Sequence, residues 1–77
     1  MYQSSPISKR EREILMLIAQ EFSSKEIADK LFLSTHTVIS HRKNIMQKFR
    51  VRNGAGLVRE GFQRGLLKIK IKSHLNI

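Results

Sequence analysis

The residues that could do chemistry crowd into one stretch, STHTVISHRKNI at 34–45. It holds hydroxyls at Ser34, Thr35, Thr37 and Ser40, imidazoles at His36 and His41, and the adjacent cations Arg42 and Lys43. Serine beside histidine raises nucleophilic catalysis, which needs a third group to orient the base. No such member stands nearby, no carboxylate pair flanks either histidine, and no Gly-rich phosphate loop occurs in the chain. The three histidines (36, 41 and 74) lack the spacing and the carboxylate company of a zinc site, and there is no cysteine. Neither an enzyme nor a metal or other cofactor is expected. Hydroxyls and cations interleaved with one exposed aliphatic residue, Ile39, suit recognition of an anionic surface that also has apolar features.

The charge balance points the same way. Fifteen Lys and Arg stand against six Asp and Glu in 77 residues, a formal +9, which implies an anionic partner such as nucleic acid or a membrane surface. The excess is local: between Asp29 and Glu60 there is no acid, while Lys30, Arg42, Lys43, Lys48, Arg50, Arg52 and Arg59 all fall there. No run approaches the ~20 apolar residues that span a bilayer. The start MYQSSP has neither the charged front nor the apolar stretch of a signal peptide, so a cytoplasmic protein is expected.

Seventy-seven residues at 40% apolar content make one small domain with one modest core. Residues 1–7 read as a tail or the end of a linker. Ser8 and Glu11, three apart, form a capping box that opens a first helix to about Gln20, with Ile14, Leu15, Leu17, Ile18 and Phe22 at helical spacing. Ser24 is taken as the N-cap of a short second helix with Ile27, Ala28 and Leu31 inward, and Ser34 as the N-cap of a longer third helix to about Phe49. Two helices joined so closely have the geometry of a helix-turn-helix. Asn53 caps a fourth helix that stops at Gly65. The folded domain spans 8–66 on this reading, and 67–77 is a basic tail. Its alternation of apolar and basic residues would suit an edge strand, but no second strand is available to pair with it.

The third helix divides cleanly at about 100° per residue. With Val38 at the origin, Ile45 and Phe49 fall within about 20° of it and define the buried stripe. His36, Lys43 and Gln47 cluster opposite, with Ser40 just beyond; Ile39 lies at about 100°, on the border of the exposed face. On a helix in a DNA major groove the exposed N-terminal residues meet base edges and the flanking cations meet phosphates. His36, Ile39, Ser40 and Lys43 are therefore the base-contact candidates, and Thr35, Thr37, Arg42 and Lys48 the phosphate candidates.

Residues 8–66 resemble the LuxR/NarL, or GerE-like, helix-turn-helix domain, found at the C-terminus of bacterial response regulators and quorum-sensing regulators. The resemblance rests on SKREREILMLIAQ, SSKEIADKLFLS, HTVISHRKNIMQKF and VRN followed by LV, in that order and spacing. It implies an all-α, four-helix domain with the second and third helices as the DNA-binding unit and the fourth as the dimer contact. It also implies that Lys25 and Thr37 touch phosphate, that Ile39, Ser40 and Lys43 reach bases, and that Glu13 and Glu26 serve caps and intramolecular pairs. The sequence departs from the family pattern at Ile39, where Lys is common, at Glu21 and Arg50, where glycine usually ends a helix, and at Gly54 and Gly56, where Arg and Glu are preferred. An isoleucine removes a cation but leaves an apolar contact suited to a thymine methyl group.

On the fourth helix Leu57, Val58 and Gly61 face the core, leaving Ala55, Arg59, Phe62 and Leu66 as the stripe for a second copy. A two-fold axis near Arg59 brings like charges together, so a monomer in solution and a homodimer on DNA are expected. The function so implied is sequence-specific double-stranded DNA binding by a bacterial transcriptional regulator, the output domain of a two-component response regulator, with RNA polymerase as a further partner and no membrane. The alternative is a nonspecific polyanion binder or protein-interaction module working through the fourth helix and the KIKIK tail. Met1 followed by a Ser/Pro stretch fits a piece cut in an interdomain linker better than a free-standing regulator.

Overall fold

The computed structural model describes residues 6–68, and these form four helices and no strand: α1 (Lys9–Ala19), α2 (Ser24–Leu31), α3 (Thr35–Phe49) and α4 (Gly54–Gln63). The all-α, four-helix expectation is met. The alternation of the tail falls mostly in 69–77, outside the described residues, as do residues 1–5.

Each helix starts on a side-chain cap. The Ser8 hydroxyl accepts from the Glu11 amide at 3.0 Å while the Ser8 amide donates to the Glu11 carboxylate at 2.9 Å, the reciprocal box expected for α1. α2 repeats the device with Ser23 and Glu26, at 3.1 and 2.8 Å. The cap is thus Ser23, not Ser24, because only Ser23 has a glutamate three residues on; three after Ser24 comes Ile27, which is in the core. Ser34 and Asn53 cap α3 and α4 as expected.

All four helices end alike. A residue in the left-handed region follows each, at Glu21 (φ 70°), Phe32 (φ 58°), Arg50 (φ 59°) and Gly65 (φ 76°). The next amide folds back onto a carbonyl five residues earlier: Phe22 to Leu17, Leu33 to Ala28, Val51 to Met46 and Leu66 to Gly61. This is the Schellman closure, and its apolar follower packs on the core each time. Three of the four left-handed residues carry a Cβ, against a cost of ~1 to 2 kcal/mol each. Replacing the exposed Glu21 with glycine relieves one such site. We expect about 1 kcal/mol of added stability, a rise of roughly 4–8 °C in Tm for a domain of this size, measurable by thermal unfolding.

The core comprises Ile14, Leu15 and Ile18 of α1, Ile27 and Ala28 of α2, Val38, Ile45 and Phe49 of α3, Leu57 of α4, and Leu67. Leu67, assigned above to the tail, closes the bottom of this core. The chain turns at Gly65, and the Leu67 side chain drops against Gly61, where an added Cβ would lie 2.6 Å from Leu67 Cδ1 and 3.2 Å from Leu15 Cδ2. The missing side chain at Gly61 is what admits the leucine. An apolar pair followed by alternating lysines disguised a core residue as part of a basic tail.

Candidate nucleic-acid interface

α3 presents the surface that its periodicity requires. Val38, Ile45 and Phe49 are buried, while Thr35, His36, Ser40, Lys43 and Gln47 are exposed. Ile39 is 39% exposed, a large aliphatic side chain at the edge of that polar face. At the helix start the Ser34 hydroxyl accepts from the Thr37 amide at 3.0 Å and donates to Thr37 Oγ1 at 2.8 Å. Thr37 therefore receives a hydrogen bond from its neighbour and keeps its own hydroxyl proton to offer to an acceptor outside. Lys25, on the first turn of α2, is paired among the described residues with Asp29 alone, at 3.9 Å across an exposed surface, an ion pair of little strength.

Arg42 leans toward α4. A Cβ built on Gly54 would stand 3.6 Å from the Arg42 Nη2, so the guanidinium reaches the first residue of that helix. His41 turns its Nδ1 into the protein, where it has no hydrogen-bond partner, and fits a packed side chain better than an acid or base.

Lys48 meets partners distant in sequence. Its ammonium lies 2.7 Å from the Glu11 carboxylate and 3.2 Å from the Pro6 carbonyl, and its side chain is only 23% exposed. Helical angle put it on the flank of α3, and that flank meets the start of α1, so the ammonium is engaged within the fold. Burial acts to raise the Glu11 pKa. The bonds from Lys48 and Ser8 outweigh it, and the carboxyl sits below its ordinary value. Glu26 is likewise lowered, first by the Ser23 amide and then by its hydroxyl, and Glu13 pairs with Arg10 at 3.2 Å. Both acids thus serve intramolecular bonds, as expected.

The stripe on α4 divides into two surfaces. Ala55 and Arg59 open on a cleft shared with Arg50, Arg52 and Asn53. Phe62 and Leu66, half-buried, line a separate groove of about 680 Å³ with Met16, Ala19 and Leu67. A second surface feature escaped the sequence reading altogether: Phe32, in the turn between α2 and α3, is 95% exposed. It follows the inward stripe Ile27, Ala28 and Leu31, and only its left-handed backbone turns it away from the core.

A short turn between α2 and α3, a third helix with one polar face and a fourth packed behind it define a helix-turn-helix module of the regulatory type. The chain belongs to the luxR family of bacterial regulatory proteins, whose family model matches residues 5–60. It is 48% identical over 61 residues to the oxygen regulatory protein NreC of Staphylococcus carnosus (strain TM300), a match covering 79% of this chain and 28% of that protein. NreC of Staphylococcus aureus (strain JH9) is 45% identical over 62 residues, covering 80% and 29%. The chain therefore spans less than a third of the length of these curated relatives. Among solved structures, the response regulator ChrA of a heme-sensing two-component system superposes with a TM-score of 0.81 at 33% identity, over 86% of this chain and 33% of that one. The transcription factor GerE superposes at 0.79 with 34% identity, over 83% and 96%. No helix among the described residues is long and apolar enough to cross a membrane.

Proposed function

We propose that this domain binds double-stranded DNA sequence-specifically as the output module of a two-component response regulator, with α3 in the major groove. The observation that carries the reading is the exposed face of α3. It joins groups able to read base edges (His36, Ser40, Lys43) to an aliphatic side chain, Ile39, within a 30-residue run, 30–59, that contains no acid. Thr35, Thr37, Arg42 and Lys25 bracket that face with donors for the backbone phosphates. Two copies on one duplex would read half-sites about one helical turn apart. RNA polymerase is a further partner on this reading.

Selection from a random duplex pool followed by titration tests the proposal. A preferred duplex should bind more than ~10-fold tighter than its scrambled counterpart at the same salt concentration. Equal affinities that fall equally with salt would leave only a nonspecific polyanion binder.

A further inference from the structure

The groove of about 680 Å³ between α1 and the end of α4 is walled by the apolar side chains of Met16, Ala19, Phe62, Leu66 and Leu67. Met16 is 46% exposed, and Phe62 and Leu66 are half-buried. Contiguous apolar surface left in water is unfavourable, and a cover removes it. The described chain leaves at this same groove. Lys68, the last described residue, lines it, and IKIKSHLNI at 69–77 follows. In an extended segment alternate side chains fall on opposite sides, so Ile69 and Ile71 share one side and Lys70 and Lys72 the other. Residue 71 can stand no further than ~11 Å from residue 68. So short a tether gives the two isoleucines an effective concentration on the order of millimolar, roughly a thousandfold above that of a second copy at micromolar protein. The charges agree. The rim carries the cations Arg12 and Lys68, which turns further lysines outward and leaves the inward side to isoleucine. Of the six acids, Glu11, Glu13, Asp29 and Glu60 are in ion pairs and Glu26 accepts from the Ser23 amide. Glu21, next in the chain to the groove residue Gln20, is exposed and has no ion pair among the described residues, so it is left to receive an outward lysine.

We propose that the segment beginning at residue 69 folds back across this groove, with Ile69 and Ile71 seated against Met16, Phe62 and Leu66 and with Lys70 and Lys72 in solvent. The alternation that found no partner strand is then the pattern of a one-sided cover. The segment acts as an autoinhibitory strap. Phe62 and Leu66, part of the stripe expected to receive a second copy, are covered by the chain itself, and any other occupant gains that face only by displacing the strap.

The chain has no cysteine, so introduced pairs report proximity unambiguously. Under mild oxidation at micromolar protein, the full chain carrying Met16→Cys and Ile71→Cys should close a disulfide within one chain at least ~10-fold faster than the chain carrying Phe32→Cys and Ile71→Cys. Phe32 lies outside the groove and is 95% exposed, so a segment with no preferred seat would favour the second pair. The double variant Ile69→Ser, Ile71→Ser, which removes the inward side chains and keeps every lysine, should self-associate at a concentration ~10-fold below that of wild type in sedimentation velocity. Tm recorded for each variant confirms that it is folded. Equal rates for the two cysteine pairs would overturn the strap. Disulfides that form only between chains in the Met16→Cys, Ile71→Cys protein would overturn it in favour of a second copy on the groove. A selective disulfide within one chain, with self-association unchanged in the serine variant, would overturn the control of α4 and leave the segment as packing alone.

Discussion

Replacing Lys48 with alanine lowers the stability of the domain by about 1.5 to 3 kcal/mol, and it leaves the salt dependence of duplex binding unchanged. The first effect follows from what the alanine abandons. Glu11 is 5% exposed and already carries the N-terminal cap of α1, so losing the ammonium at 2.7 Å leaves a buried carboxylate short of its strongest partner. The Pro6 carbonyl loses its donor as well, and the segment before α1 loses its tie to the end of α3. At this size the loss corresponds to a Tm lower by roughly 10 °C. The second effect separates Lys48 from the exposed cations: a phosphate contact would give a shallower salt slope and an unchanged Tm. Calorimetry beside a salt series distinguishes the two, and a flattened slope at unaltered Tm would return Lys48 to the DNA surface.

The same pair fixes how stability responds to acid. The Glu11 carboxyl is lowered in the fold, so it favours the folded state fully above the ordinary glutamate value of about 4.3, and that contribution is lost as the pH falls through the lowered folded value. Wild type should therefore lose stability steeply below about pH 4.3, whereas Glu11→Gln, less stable at neutral pH, should lose less over that range. Parallel acid unfolding curves for the two proteins would show that the Lys48 and Ser8 bonds do not bias the carboxyl.

Most of the architecture was legible because its determinants are local. Caps are read from single residues and a spacing of three, which is how Ser8, Ser34 and Asn53 mark α1, α3 and α4, and the same spacing in Ser23 and Glu26 marks α2. Helical period alone separated Val38, Ile45 and Phe49 from Lys43. What remained hidden depends on partners distant in sequence. Nothing in the period of α3 says that Lys48 will meet Glu11, 37 residues earlier, or that Arg42 will reach Gly54 across a helix boundary. Leu67 was lost to the tail because the space that receives it is an absence, the missing side chain of Gly61. Arg50, Arg52 and Arg59 stood in the sequence as part of an acid-free run, but that they line one cleft depends on how α4 follows α3.

Lys43→Ala should weaken binding to the preferred duplex by ~1 to 3 kcal/mol, about 5- to 150-fold, while changing affinity for a scrambled duplex far less. The asymmetry is expected because Lys43 stands opposite the buried stripe, where a major-groove helix points at base edges, rather than on the flank that meets phosphate. Ile39 supplies the complementary test on the same face. Its aliphatic side chain has no donor to offer a guanine, but it can cover the methyl group by which thymine differs from the other bases in the major groove. Substituting deoxyuridine for thymine, one position at a time, deletes that methyl and nothing else, so wild type should lose up to ~0.8 kcal/mol at one position in each half-site. Ile39→Ala should bind the thymine duplex more weakly and no longer notice the substitution. An Ile39→Ala protein that binds its best site unchanged, with no altered preference at any thymine, would show that this side chain only extends the core. The base reading would then rest on Lys43, Ser40 and His36 alone.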